Sequence, residues 1–182
     1  YNPTTKVWEL VDKPLNVGAN SIVAKAIDNA ANEATSQVIV IRDLTAPGIS
    51  VTSPANNTVT TAEAITISGT ATDSGTDASG IARITVNGTD AVFDPLTGQW
   101  NYHNLPLTIG ANTITLKAFD NAGNETTAIL TVTRRHPDTQ PPTLSIVSPA
   151  NNSTTFDQQV TISGTAIDEG DGATGVASVL VN

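Results

Sequence analysis

The sequence predicts an all-β protein made of tandem β-sandwich repeats of about 95 residues, with seven strands in each. Three observations predict it. First, Thr, Ala, Asn, Val and Ile dominate the 182 residues while Leu, Lys and Glu are scarce. That composition favours strands joined by Asn/Gly/Asp turns over helices. Second, the chain repeats itself. Residues 1–42 align without gaps on 93–134, an offset of 93 − 1 = 92, with 19 of 42 positions identical. Residues 43–87 align without gaps on 138–182, an offset of 138 − 43 = 95, with 22 of 45 identical. Third, apolar or β-branched runs alternate with turn residues at the spacing of a sandwich.

The repeat sets the expected organisation. Residues 1–42 are the C-terminal half of one unit and should hold its last four strands. Residues 43–137 are a whole unit. Residues 138–182 are the N-terminal half of the next and should hold its first three strands. Asn182 corresponds to Asn87 and Tyr1 to Phe93, so both ends fall at the same turn. With no Met in the sequence, an interior stretch of a longer chain is expected.

In the whole unit, strands are expected at Ile49–Thr52, Ala64–Thr72, Ile81–Val86, Thr89–Phe93, Gln99–His103, Asn112–Phe119 and Thr127–Thr133. Asn87-Gly88 is a two-residue hairpin signal between the third and fourth. "DPLTG" (94–98) makes the next turn, with Pro95 presetting φ and Gly98 open to positive φ. In the sixth strand Ile114, Leu116 and Ala118 face one way, Thr115 and Lys117 the other, as in a half-buried strand.

Charge and composition exclude several function classes. The net charge is −9, with 17 acidic against 8 basic residues, which argues against nucleic acid or anionic lipid as partners. It permits divalent cations. No Cys is present to form a disulfide or act as nucleophile. No apolar run approaches the roughly 18 residues of a membrane helix, so no membrane insertion is expected within this segment. No nucleophile elbow or phosphate loop occurs, and no enzyme activity is expected.

The quoted motifs carry a resemblance. "APGISVTSPANNTVT…ITISGTATD…GIARITVNG…W…L…GANTITLKAFDNAGNETT" resembles the bacterial immunoglobulin-like (Big-type) tandem repeats of large surface adhesins and secreted multidomain proteins, over the whole chain. The Cys pair and third-strand Trp of antibody domains are absent. The resemblance implies an extracellular or cell-surface location and calcium held between consecutive domains.

One stretch bears on that cation. "KAFDNAGNETT" (117–127) nearly repeats "KAIDNAANEAT" (25–35). In an immunoglobulin-like sandwich the loops after the second and sixth strands sit at one end, where the first strand begins. Asp43 in the linker, Asp73 and Asp77 after the second strand, and Asp120 after the sixth should therefore meet at a domain junction. Asn121 and Asn124 can add oxygens. Calcium takes six to eight hard oxygens, which converging carboxylates and carbonyls supply. Asp138, Asp168 and Asp171, with Glu169, form the corresponding set at the second junction, and Asp28 would serve a junction before residue 1. The competing reading is that Asp and Asn here only cap their own turns.

Other candidates have plainer readings. Trp8 and Trp100 share one repeat position and are expected to pack on the sandwich rather than stack on sugar. Tyr102 and His103 beside Trp100 are replaced by Leu10 and Val11 in the first half unit. His136 lies in the linker "RRHPD", far from His103, so no histidine metal site is expected. Asn-x-Ser/Thr triplets such as Asn87-Gly88-Thr89 read as Asn/Thr-rich turns.

Three functions are compatible with these residues. The first is a non-catalytic stalk or fibre segment, stiffened by calcium between neighbouring repeats. The second is a filament subunit that joins residues 138–182 to residues 1–42 of another copy. The third is an accessory module of a secreted polysaccharide-degrading enzyme.

Overall fold

A computed structural model describes residues 2–182. Its regular structure is entirely strand: β1 (Gly18–Ile27), β2 (Glu33–Arg42), β3 (Gly48–Ser53), β4 (Thr58–Thr60), β5 (Ala64–Thr72), β6 (Ile81–Val86), β7 (Thr89–Asp90), β8 (Val92–Asp94), β9 (Gln99–Pro106), β10 (Gly110–Asp120), β11 (Glu125–Arg134), β12 (Thr143–Ser148) and β13 (Ser163–Ile167). No helix among the described residues is long and apolar enough to cross a membrane, which says nothing of a β-barrel.

Residues 48–134 form a two-sheet sandwich. One sheet runs β4-β11-β10-β6-β7 and the other β3-β5-β9-β8. Period-two patterning decides which side chains enter the space between them. Along β10 it sends Ile114, Leu116 and Ala118 inward, each at most 1% exposed. Ile67, Ile84, Val86, Trp100, Leu130 and Val132 complete the centre of the core. Trp100 needs room, and Gly69 on the neighbouring strand β5 provides it. A Cβ there would sit 2.8 Å from the indole ring and collide with the Ser50 carbonyl. At the Asn87-Gly88 turn both residues have positive φ, 48° and 85°, as a two-residue hairpin of right-handed twist requires.

The strand count departs from seven. β5 and β6 have the expected bounds, and β3, β9, β10 and β11 each extend the expected strand. The fourth strand is broken instead. β7 pairs with β6 in one sheet and β8 with β9 in the other, because the chain changes sheets at Ala91. β4 was not expected: Thr58–Thr60 lies parallel along the end of β11 after the first strand crosses over.

The flanking segments are simpler. In residues 2–42 only β1 and β2 form strands, as a two-stranded antiparallel ribbon. The stretch equivalent to β9 is unpaired apart from a bridge between Asn2 and Val7. In residues 138–182 only β12 and β13 pair, and residues 176–181, equivalent to β6, are in no strand. A strand forms where its ladder partner is present, and these stretches have none beside them.

Candidate metal centre at the first junction

Three chain segments converge where residues 43–47 enter the sandwich. Asp43 belongs to the linker, Asp73 follows β5, and Asp120 ends β10. Each offers one carboxylate oxygen, and the three oxygens lie within 4.8 Å of one another. Asp43 is 6% exposed and Asp120 is 3% exposed, while Asp73 is half-buried. The ion pairs of the described residues all lie elsewhere. Three carboxylates this close therefore repel one another without a neutralising side chain.

Backbone N–H groups hold the carboxylates in place. Asp43 accepts from Thr45 N at 2.9 Å and Ser79 N at 2.9 Å. Asp73 Oδ2 accepts from Gly80 N at 2.6 Å. Asp120 Oδ1 accepts from Ala122 N and Asn124 N, at 2.9 and 2.8 Å. The hydroxyl and N–H of Ser79 and the N–H of Thr45 hold the Asp43 carboxyl below its usual range, against the opposing effect of burial. Asp73 Oδ1 differs from the rest: it is buried and has no hydrogen-bond partner. A buried carboxylate oxygen without a donor is costly unless something else satisfies it.

The remaining expected ligands have other work. Asp77, 7% exposed, accepts from Leu44 N at 3.3 Å and from the Thr45 hydroxyl at 2.9 Å. It fastens the linker and lies outside the three-carboxylate cluster. Asn121 donates its amide to Ser79 O and Gly80 O, at 2.8 and 3.1 Å. Asn124 donates to Asp120 Oδ2 at 2.7 Å and to Asp43 O at 3.4 Å. Both amides thus act as donors that brace the loops. Ser79 and Gly80 went unnoticed in the sequence, because a backbone donor leaves no side-chain signature.

At the second junction Asp138 and Asp168 share one donor, Thr174 N, at 3.1 Å each. Asp168 Oδ1 is again buried without a partner. Thr174, above all through its hydroxyl, holds the Asp138 carboxyl below its usual range. Asp171 is not with them; it lies 3.3 Å from His136 Nε2. The repeat alignment places Gly172 opposite Asp77, so Asp171 has no counterpart in the first junction. Asp28, equivalent to Asp120, accepts only within its own loop, from Ala30 N, Asn32 N and the Asn32 amide.

Trp100 is 1% exposed and sits in the core. Tyr102 packs against that core, and His103 is exposed beside Thr66. No sugar-stacking face is built on Trp100.

Residues 47–136 match the family model of glucodextranase, domain B. A structure of the fibronectin(III)-like modules of Clostridium thermocellum CbhA is similar at 22% identity, with a TM-score of 0.41. That similarity covers 67% of this chain and 65% of the other. No curated protein matches. The sandwich of residues 48–134 is an immunoglobulin-like β-sandwich.

Proposed function

We propose that the chain is a non-catalytic spacer segment of a long extracellular or cell-surface protein, stiffened by calcium where one immunoglobulin-like unit meets the next. One observation carries the cation: Asp43, Asp73 and Asp120 converge from three segments, uncompensated, and leave Asp73 Oδ1 buried without a donor. Calcium suits such a set. It accepts carboxylate oxygens that also receive backbone N–H bonds, since each oxygen has a second lone pair. The ion would tie the linker to the loops after β5 and β10, and Asp77 would hold that linker to the same end. Asp138 and Asp168 support a like arrangement at the following junction. Without the ion, "RDLTAP" and "RRHPDTQPP" act as short, Pro-containing hinges.

Calorimetric titration with calcium tests this. The intact chain should show saturable binding, and Asp73→Asn should weaken it at least tenfold while leaving the Asp120 loop intact. At 100-fold excess over Kd the ion adds roughly 2.7 kcal/mol of stability. A flat titration at millimolar calcium, with no thermal shift, would leave the three Asp residues as turn caps only.

A second reading, an accessory module of a polysaccharide-degrading enzyme, is favoured by the match to a glucodextranase domain. The burial of Trp100 weighs against it, since the chain's seven aromatic residues leave little to build a stacking face. Retardation of the chain in gels containing soluble glucans would favour this reading over the first.

A further inference from the structure

We infer that Asn87 is a site of self-modification, at which the backbone nitrogen of Gly88 converts the side-chain amide to aspartate and isoaspartate, and that this conversion releases β7 from the sandwich. Among residues 1–181, Asn87 is the one asparagine followed by Gly. That matters because a Gly nitrogen has no Cβ beside it to shield its approach. Asn57, Asn104 and Asn152 share the positive φ of Asn87, at 64°, 57° and 61°, but precede Thr, Leu and Ser.

The hairpin leaves the reacting groups open. Asn87 and Gly88 are the exposed loop between β6 and β7, closed by the pairing of Val86 with Thr89. A Cβ added at Gly88 would meet nothing within 4 Å. Asn87 N donates to Thr115 O at 2.8 Å, and Asn87 Oδ1 accepts from Thr115 N at 2.8 Å. The second bond sets a fixed donor on the oxygen that gathers negative charge when Cγ is attacked, as an oxyanion hole does. Among the described residues neither the Gly88 N–H, which attacks, nor Asn87 Nδ2, which leaves, has a hydrogen-bond partner. No hydrogen bond within the protein must break before the attack.

The Gly88 nitrogen gives up its proton to solvent and bonds to Asn87 Cγ, and the Cγ–Nδ2 bond breaks with loss of ammonia. Water then opens the cyclic imide. Entry at Cγ yields aspartate. Entry at the main-chain carbonyl carbon yields isoaspartate, whose main chain runs through Cβ and Cγ. Either product adds a negative charge to a chain already at −9. Only isoaspartate lengthens the main chain, by a methylene, and the two-residue turn, with φ 48° and 85°, cannot close around it. β7 has little else to hold it. Thr85 pairs with Asp90, Ala91 N donates to Ile84 O at 2.9 Å, and Arg83 stands 3.8 Å from the exposed Asp90 carboxylate. Ile84 and Val86 stay buried on β6, which pairs with β10, so the core survives the change.

Incubation of the intact chain at mildly alkaline pH tests this, in the native state and in urea, with peptide mass spectrometry reading each asparagine. Native Asn87 should convert mainly to isoaspartate, release ammonia in equal amount, and react faster as pH rises, because the attacking nitrogen must lose its proton. Its native rate should exceed about a thousandth of the rate in urea, the ceiling for reaction through the unfolded state alone. Asn57, Asn104 and Asn152 should stay unchanged over the same time. Amides of residues 89–91 should then exchange at least about tenfold faster, with the near-UV signal of Trp100 retained. Asn87→Asp carries the charge without the added methylene and, freshly made, should keep those amides protected. A native rate below that ceiling, or conversion first at another asparagine, would overturn the proposal. So would isoaspartate at Asn87 with β7 as protected as before, or lost protection in fresh Asn87→Asp.

Discussion

The hairpins β1–β2 and β10–β11 are nearly the same object in two surroundings. Gly18 pairs with Arg42 and Ile27 with Glu33, just as Gly110 pairs with Arg134 and Phe119 with Glu125. Asp28 and Asp120 close the two loops with the same three hydrogen bonds. Asn20 and Asn112 each donate to three backbone carbonyls around the hairpin mouth. Yet Leu130 is 2% exposed and Val38 is 55%. The hairpin is written in local chemistry, and burial is written in the strands that come to lie against it. Local side-chain capping builds the loop with or without a core behind it.

The two tryptophans should differ most. Trp100→Ala should cost about 3–5 kcal/mol in urea unfolding, the range for a buried large aromatic. Trp8→Ala should change stability by less than about 0.5 kcal/mol. Equal costs would mean that residues 1–42 already own a core.

The loops give the next effect. Ala31 has φ 67° where its equivalent Gly123 has φ 94°. An L-residue pays about 1–2 kcal/mol in that region. Gly123→Ala should therefore lower stability by that amount in thermal unfolding. Ala31→Gly should slow amide exchange in β1–β2 by up to about tenfold.

Acid should distinguish the Asp28 loop from the Asp43 junction. The side-chain amide of Asn32, aided by the N–H groups of Asn32 and Ala30, holds Asp28 below its usual carboxylate range, and Ser79 and Thr45 do the same for Asp43. A carboxyl depressed in the folded state stabilises above its unfolded pKa and loses that contribution as pH falls through the depressed value. Proton titration followed by NMR should show both titrating below ordinary aspartate. Losing Asp43 should loosen the linker, while losing Asp28 should open only its own hairpin.

The smallest effect is at the matched ion pairs. Lys25 sits with Glu33 at 2.6 Å and Lys117 with Glu125 at 2.8 Å, all four side chains partly exposed. Each pair should contribute about 0–1 kcal/mol, and the two values should agree within error in double-mutant cycles.

How much of this was legible follows the same division. The bounds of β5 and β6 could be read off the sequence because their apolar runs end abruptly in turn residues. The convergence of Asp43, Asp73 and Asp120 was legible too, since loop placement follows from sandwich topology. Asp77, Asn121 and Asn124 were expected beside the ion, and here the Asp77 side chain fastens the linker while the two amides brace the loops. Residue type marks an oxygen, but only the fold decides whether it faces the cluster or braces a neighbouring loop. Asp171 lies beside His136 rather than with Asp138 and Asp168, and Gly172 holds the repeat position of Asp77. β4 and the break at Ala91 were invisible. Three residues of "TVT" carry no period, and a strand that changes sheets keeps one unbroken run.

The most direct test of the account is small-angle scattering of the chain at dilution, with calcium and then with chelator. The account predicts a narrow distribution of dimensions with calcium that broadens on chelation, and no such change in Asp73→Asn. Superimposable profiles, with calcium shown to be bound or absent alike, would contradict a junction stiffened by the ion.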